Sequence, residues 1–211
     1  MTSAASETAA APGTTGEGSA GDAGWPRILT WIGPDGSRME SARVQLTGNR
    51  LKVTGRLIVR ATDSKEAFGA SYDLVTDDAG VSKRLSINLT TASHGDRQLS
   101  LSLDSQGYWL IGGGEEPERS QLGGALDVDM ISSPLFNTLA IRRAGVLETT
   151  ETIVLPVAYV WPLSGRVESV EISYRNVGDG TVEVSSPVGT NLVTVDSDGF
   201  IIDYPGLATR R

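Results

Sequence analysis

VSKRLSINLTTASHGDRQLSLSLD, residues 81–104, decides the fold. Leu85, Ile87 and Leu89 alternate with Arg84, Ser86, Asn88 and Thr90, and Leu99, Leu101 and Leu103 alternate with Ser100, Ser102 and Asp104. A period of two sends successive side chains to opposite faces of an extended chain, so each run is a strand with one apolar and one polar face. Between them Ser93-His94-Gly95-Asp96 forms a short glycine-containing loop, and the pair reads as an antiparallel hairpin.

Outward from this hairpin the same period recurs at 28–32, 41–47, 50–61, 67–76, 107–112, 152–160, 166–176, 181–185, 190–195 and 199–204. Turn signals separate the runs, among them Pro34-Asp35-Gly36, Gly48-Asn49, Gly178-Asp179-Gly180 and Asp196-Ser197-Asp198-Gly199. No stretch keeps apolar residues three and four apart through three turns, and a turn or two of helix is expected only within 142–150. Connections this short join antiparallel neighbours. About a dozen strands in one sheet curl rather than lie flat. The expected fold is therefore all-β: a single large curled antiparallel sheet, a spiral roll or half-barrel, with little helix.

Residues 1–24 are small or polar and hold nothing able to pack, so they predict a disordered leader ahead of one β-roll domain over 25–211. They lack the basic start and apolar run of a secretory signal, and no later apolar run approaches the length of a membrane-spanning helix. The chain has no cysteine and a single histidine, His94. That composition excludes thiolate chemistry and disfavours imidazole metal sites and serine–histidine triads; no metal or cofactor is expected. A net charge of −8 disfavours nucleic-acid partners and, with the missing cysteines, fits a soluble cytoplasmic protein. A homodimer is left open.

The segment GGALDVDMISSPLFNTLAIRR, residues 123–143, carries the densest polar chemistry. Asp127 and Asp129 lie two apart on an extended segment, so their carboxylates share a side and repel unless an Arg142 or Arg143 guanidinium, a cation, backbone N–H groups or water intervenes. Were the two arginines on a strand, only one would reach that side. Three readings stay open: an Asp–Arg–Asn cluster pinning the 132–134 connection with Asn137 bonded to backbone, contact with a ligand head group, or a metal site. Ser132 and Ser133 have no adjacent base in the sequence and read as turn formers.

The elements D-x-D at 127–129, S-P-x-x-N-T at 133–138, I-R-R at 141–143 and D-Y-P-G at 203–206, in that order, together with Leu57-Ile58-Val59, Tyr72-Asp73-Leu74, Gly107-Tyr108-Trp109 and Ile172-Ser173-Tyr174, resemble a bacterial family described as "putative glycolipid-binding", formerly a domain of unknown function. The resemblance runs from about Trp31 to Arg210. Its departures are Phe136 and Ala140, where the family pattern is expected to hold Thr and Pro, and Ala125, where Cys is frequent. It implies a spiral β-roll related in shape to lipoprotein carriers, and a lipid or glycolipid ligand.

On that implication an acyl chain would lie on the apolar concave face, against Leu85, Ile87, Leu101 and Tyr174, with Trp109 a further candidate wall. The head group would meet Asp127, Asp129, Asn137, Arg142 and Arg143. Two other classes remain: a hydrolase-like enzyme using Asp127 and Asp129 as acid and base, and a non-catalytic interaction module with a filled core.

Overall fold

The computed structural model describes Met1 and residues 24–211. The expected leader, but for its two ends, lies outside the described residues. The other described residues are built on one continuous sheet of fifteen strands. Its strands are β1 (Arg27–Ile32), β2 (Arg38–Thr47), β3 (Arg50–Val59), β4 (Phe68–Thr76), β5 (Ser82–Thr91), β6 (Gly95–Leu103), β7 (Trp109–Gly112) and β8 (Glu118–Ser120), then β9 (Asp127–Met130), β10 (Ile153–Trp161), β11 (Arg166–Gly178), β12 (Thr181–Ser186), β13 (Gly189–Val195), β14 (Ile201–Tyr204) and β15 (Ala208–Arg210). The 81–104 hairpin is present as β5 and β6, with Leu85 paired to Leu101.

The strand order is β8 to β1, then β15 down to β9. Two meanders thus meet where the first strand pairs with the last, and the sheet's two edges, β8 and β9, are neighbours in sequence. Fourteen spacings of about 4.8 Å would hold those edges roughly 67 Å apart in a flat sheet. Residues 121–126 between them reach about 25 Å at most. The sheet must therefore roll up, which agrees with its twist. The linking segment crosses the concave side, where Ser82 N–H donates to the Leu126 carbonyl and Trp109 Nε1 donates to the Ala125 carbonyl.

Two features depart from the sequence reading. Strands β9 and β10 pair in parallel, Asp127 against Val157 and Asp129 against Tyr159, because the chain between them makes a crossover of 22 residues from 131 to 152 rather than a tight turn. That crossover holds the helix α1 (Asn137–Arg143) and a short 3₁₀ turn over 146–148, so the helix begins five residues before the expected 142–150. No apolar stripe announced it because both of its sides are covered: Leu139 packs with the core of β1–β9, and Ala140 and Ile141 with that of β10–β14.

This crossover plugs the roll. Leu135, Phe136 and Leu139 enter the concave core, with the Phe136 and Tyr72 rings 5.2 Å apart. Leu85, Ile87, Leu101, Trp109 and Tyr174, expected as an acyl-binding wall, are all buried at 1% exposure or less, the first four within that packing and Tyr174 in the neighbouring core of β10–β14. Over Leu85, Ile87, Leu101 and Trp109 the concave face is filled; a larger apolar space is left beside Val59 and Phe68.

One close approach in the core has a clear sequence cause. Gly55 on β3 lies opposite Ala42 and Tyr72, and a Cβ there would overlap the Tyr72 ring and hydroxyl. The missing side chain lets Tyr72 lie across β3 and reach Glu40 on β2. Gly55→Ala is expected to cost about 1–3 kcal/mol of stability through overpacking, measured by urea denaturation. Unchanged stability would mean Tyr72 relaxes freely. Among the described residues no helix is long and apolar enough to cross a membrane.

Candidate functional site

Three carboxylates are buried in the plugged roll: Glu40, Asp127 and Asp129, at 1%, 1% and 4% exposure. Asp127 is paired. Arg143 Nε donates to both its oxygens at 2.9 and 3.0 Å, and the Arg143 terminal nitrogen donates to Oδ2 at 2.6 Å. Burial pushes the Asp127 carboxyl up and the Arg143 contacts oppose it; the same contacts hold Arg143 above its ordinary value. Arg143 reaches this position from the last turn of α1, where positive charge also suits the helix carboxyl end.

Glu40 follows the parity of Ala42 and Val44 on β2 and so points inward, between Trp31 and Leu57 on the flanking strands. Tyr72 donates to it at 2.5 Å, and Ser133 Oγ donates at 2.7 and 2.8 Å to its two oxygens. Burial pushes Glu40 up to about 7 against these hydrogen bonds. Asp129 has no ion-pair partner among the described residues. Burial pushes it up to about 7, a backbone N–H at Met130 opposes the shift, and Asp127 and Glu40 add to it.

Asp129 opens onto a cavity of about 340 Å³, walled also by Asn137, Tyr159, Asn191, Tyr204, Arg38 and Lys65. Asn137 is 5% exposed, and its Oδ1 has no hydrogen-bond partner among the described residues. Burial raises the Tyr159 and Tyr204 hydroxyls, so both keep their protons at neutral pH. A second cavity of about 460 Å³ is walled by Val59, Phe68, Ile131, Trp161, Pro162 and Leu163 together with the 60–66 loop. Arg38, Lys65, Ile131 and Ser132 belong to both walls. Arg38 donates to the Ser132 carbonyl at 3.2 Å, so the strap at 131–133 stands between the two spaces.

Of the residues singled out from sequence, Asp127, Asp129, Asn137 and Arg143 gather around β9 and α1, and only Asp129 and Asn137 line the polar cavity. Arg142, about 100° further around the helix, points away. It donates to the Asp198 and Gly48 carbonyls and lies 5.5 Å from the centre of the Phe200 ring. The sequence argument that consecutive arginines face opposite sides of a strand fails because they are helical. Among the described residues Asn137 Oδ1 bonds to no backbone group, and Ser133 does have a carboxylate partner, Glu40, ninety-three residues away in sequence. The sequence reading missed Glu40 because its strand was begun at residue 41. Extending the alternation of Ala42, Val44 and Leu46 by one step places Glu40 on the buried face.

The plugged all-β roll thus holds a polar and an apolar cavity separated by one strap. The chain belongs to the family described as "putative glycolipid-binding", whose family model matches residues 28–210. The crystal structure of a DUF1089 family protein from Pseudomonas aeruginosa is similar to it with a TM-score of 0.68 at 24% identity, over 86% of this chain and 95% of that one. That likeness shows the fold. No curated protein matches this chain.

Proposed function

We propose that the protein binds an amphipathic lipid, with its head in the Asp129–Asn137 cavity and its chain in the Val59–Phe68–Leu163 cavity. The observation that carries this reading is the shared wall: a polar space and an apolar one meet at Arg38, Lys65, Ile131 and Ser132. Each volume falls in the range of small-molecule sites. The family description supports a lipid ligand. We put the acyl chain beside the strap rather than over Leu85, Ile87 and Leu101, where the concave face is filled. Enzymatic use of Asp127 with Asp129 is disfavoured, since Arg143 occupies Asp127. The cysteine-free sequence supports a cytoplasmic setting.

Native mass spectrometry against a lipid library tests the reading, with lipid-shifted masses as the expected result. Leu163→Glu, which puts a charge into the apolar cavity at a half-buried position, is expected to weaken lipid binding about tenfold or more while leaving the fold intact. A clean apo mass across the library, or full binding by the variant, would overturn it.

A further inference from the structure

We infer that the convex face of β1–β5 docks on an anionic phospholipid bilayer, its cations meeting lipid phosphates and its exposed aliphatic side chains entering between the head groups. This surface lies on the opposite side of the sheet from the plugged core and needs no ligand in either cavity.

Alternation along these strands sends Arg43, Lys52, Arg56 and Arg84 outward, while Ala42, Val44, Val53 and Leu57 are buried on the other side. None of the four cations has an ion-pair or hydrogen-bond partner for its side chain among the described residues. Elsewhere Arg119, Arg166, Arg175 and Arg210 each stand against a carboxylate. The outward positions of β1–β5 hold one acid, Asp73, which accepts a hydrogen bond from Thr54 at 2.8 Å. In a chain whose acids outnumber its bases by 26 to 18, this face carries a local surplus of cations. Salt limits the reach of exposed charges to about 8–10 Å, so that surplus, rather than the net −8, governs what touches the face.

Aliphatic side chains stand among these cations. Ile32, Met39 and Ile58 are direct cross-strand neighbours and all exposed, and Ile28, 70% exposed, is paired with Arg43. Gly69, opposite Ile58, leaves the sheet bare, and a groove of about 290 Å³ walled by Arg56, Ser71, Asn88 and Thr90 gives a phosphate room beside the Arg56 guanidinium. Cations interspersed with aliphatic side chains suit the boundary between head groups and acyl chains. A nucleic acid would find the cations but no ring on which to stack its bases, since the outward positions of β1–β5 carry no aromatic residue.

Flotation of the full chain with vesicles of phosphatidylcholine alone, and of phosphatidylcholine with about 30% phosphatidylglycerol, tests the docking face. Binding is expected to the second and not the first, and about 0.5 M salt is expected to weaken it tenfold or more. Arg56→Glu is expected to weaken vesicle binding about tenfold, whereas Arg175→Glu, the same change of charge on β11, leaves it as it was. Ile58→Ser, at an exposed position that leaves the core packing alone, is expected to weaken it about fivefold. Leu163→Glu, in the apolar cavity, is expected to keep it. Equal binding to both kinds of vesicle, binding to neither, or equal losses in Arg56→Glu and Arg175→Glu overturns the docking face. Loss in Leu163→Glu alone overturns it too and moves the contact to the cavity. Binding to an oligonucleotide without binding to vesicles overturns it in favour of a nucleic acid.

Discussion

Arg143→Met is expected to lower the unfolding free energy by about 3–5 kcal/mol, toward the lower end because the arginine side chain keeps 16% exposure. The substitution retains the apolar stem and helix preference but removes all three hydrogen bonds to Asp127. Asp127, 1% exposed, then faces desolvation with no opposing cation. It must stay ionised and unpaired or take up a proton, and either state costs free energy. The double variant Asp127→Leu with Arg143→Met removes the stranded group along with its partner and is expected to recover most of the loss. Urea denaturation of the two single variants and the double closes the cycle. A loss below about 1 kcal/mol for Arg143→Met would show that water reaches Asp127 and that the pair is not a dry one.

Stability is expected to fall as pH rises from about 4.5 to about 7. Glu40 binds its proton at about 4.5 when unfolded and at about 7 when folded. Across that window the native state holds more protons than the unfolded state, so raising the pH favours unfolding. The contribution is fully present below the unfolded value and is lost as pH passes the folded one. For Glu40 it amounts to roughly 3 kcal/mol. Asp129, pushed from 3.8 to about 7 by the same burial, acts in the same direction, and the Glu40 charge adds to its shift. Partly exposed Glu66 and Asp104 are lowered by hydrogen bonds from Ser93 and at Tyr108, respectively, and act with opposite sign at lower pH. Denaturation midpoints between pH 4.5 and 8 measure the slope. Glu40→Gln keeps the shape but not the titration and is expected to flatten it. An identical slope in the variant would exclude Glu40 as its source. At pH 8 the Gln variant is expected to be the more stable protein.

Much of the fold was legible because strand chemistry is local. Leu85-Ser86-Ile87-Asn88-Leu89 has one face to bury and one to wet in any fold, and its pairing partner, Leu99 to Leu103, lies one loop away. All twelve strands read from the alternation have counterparts, those at 107–112 and 199–204 having been begun two residues early. β8, β9 and β15 are only three or four residues long, too short for a period to show, and β9 is buried on both faces. The helix was misplaced for a related reason, since a segment covered all round has no stripe. Of the site, Asp127, Asp129, Asn137 and Arg143 stood out by density of polar groups within twenty residues. Glu40, Tyr72, Tyr159 and Tyr204 did not, because they come from four strands far apart in the chain.

The sequence by itself determined that the chain forms many short antiparallel strands in a curling sheet, that no thiol or histidine pair serves it, and that its polar chemistry concentrates at 123–143. Only the tertiary structure decided that this segment plugs the roll, that Arg143 rather than Arg142 neutralises Asp127, and that the open spaces lie on either side of the 131–133 strap. The reason is physical: alternation fixes which way a side chain points from its own strand, whereas filling and pairing depend on what arrives opposite, and here that comes from as far as ninety-three residues away.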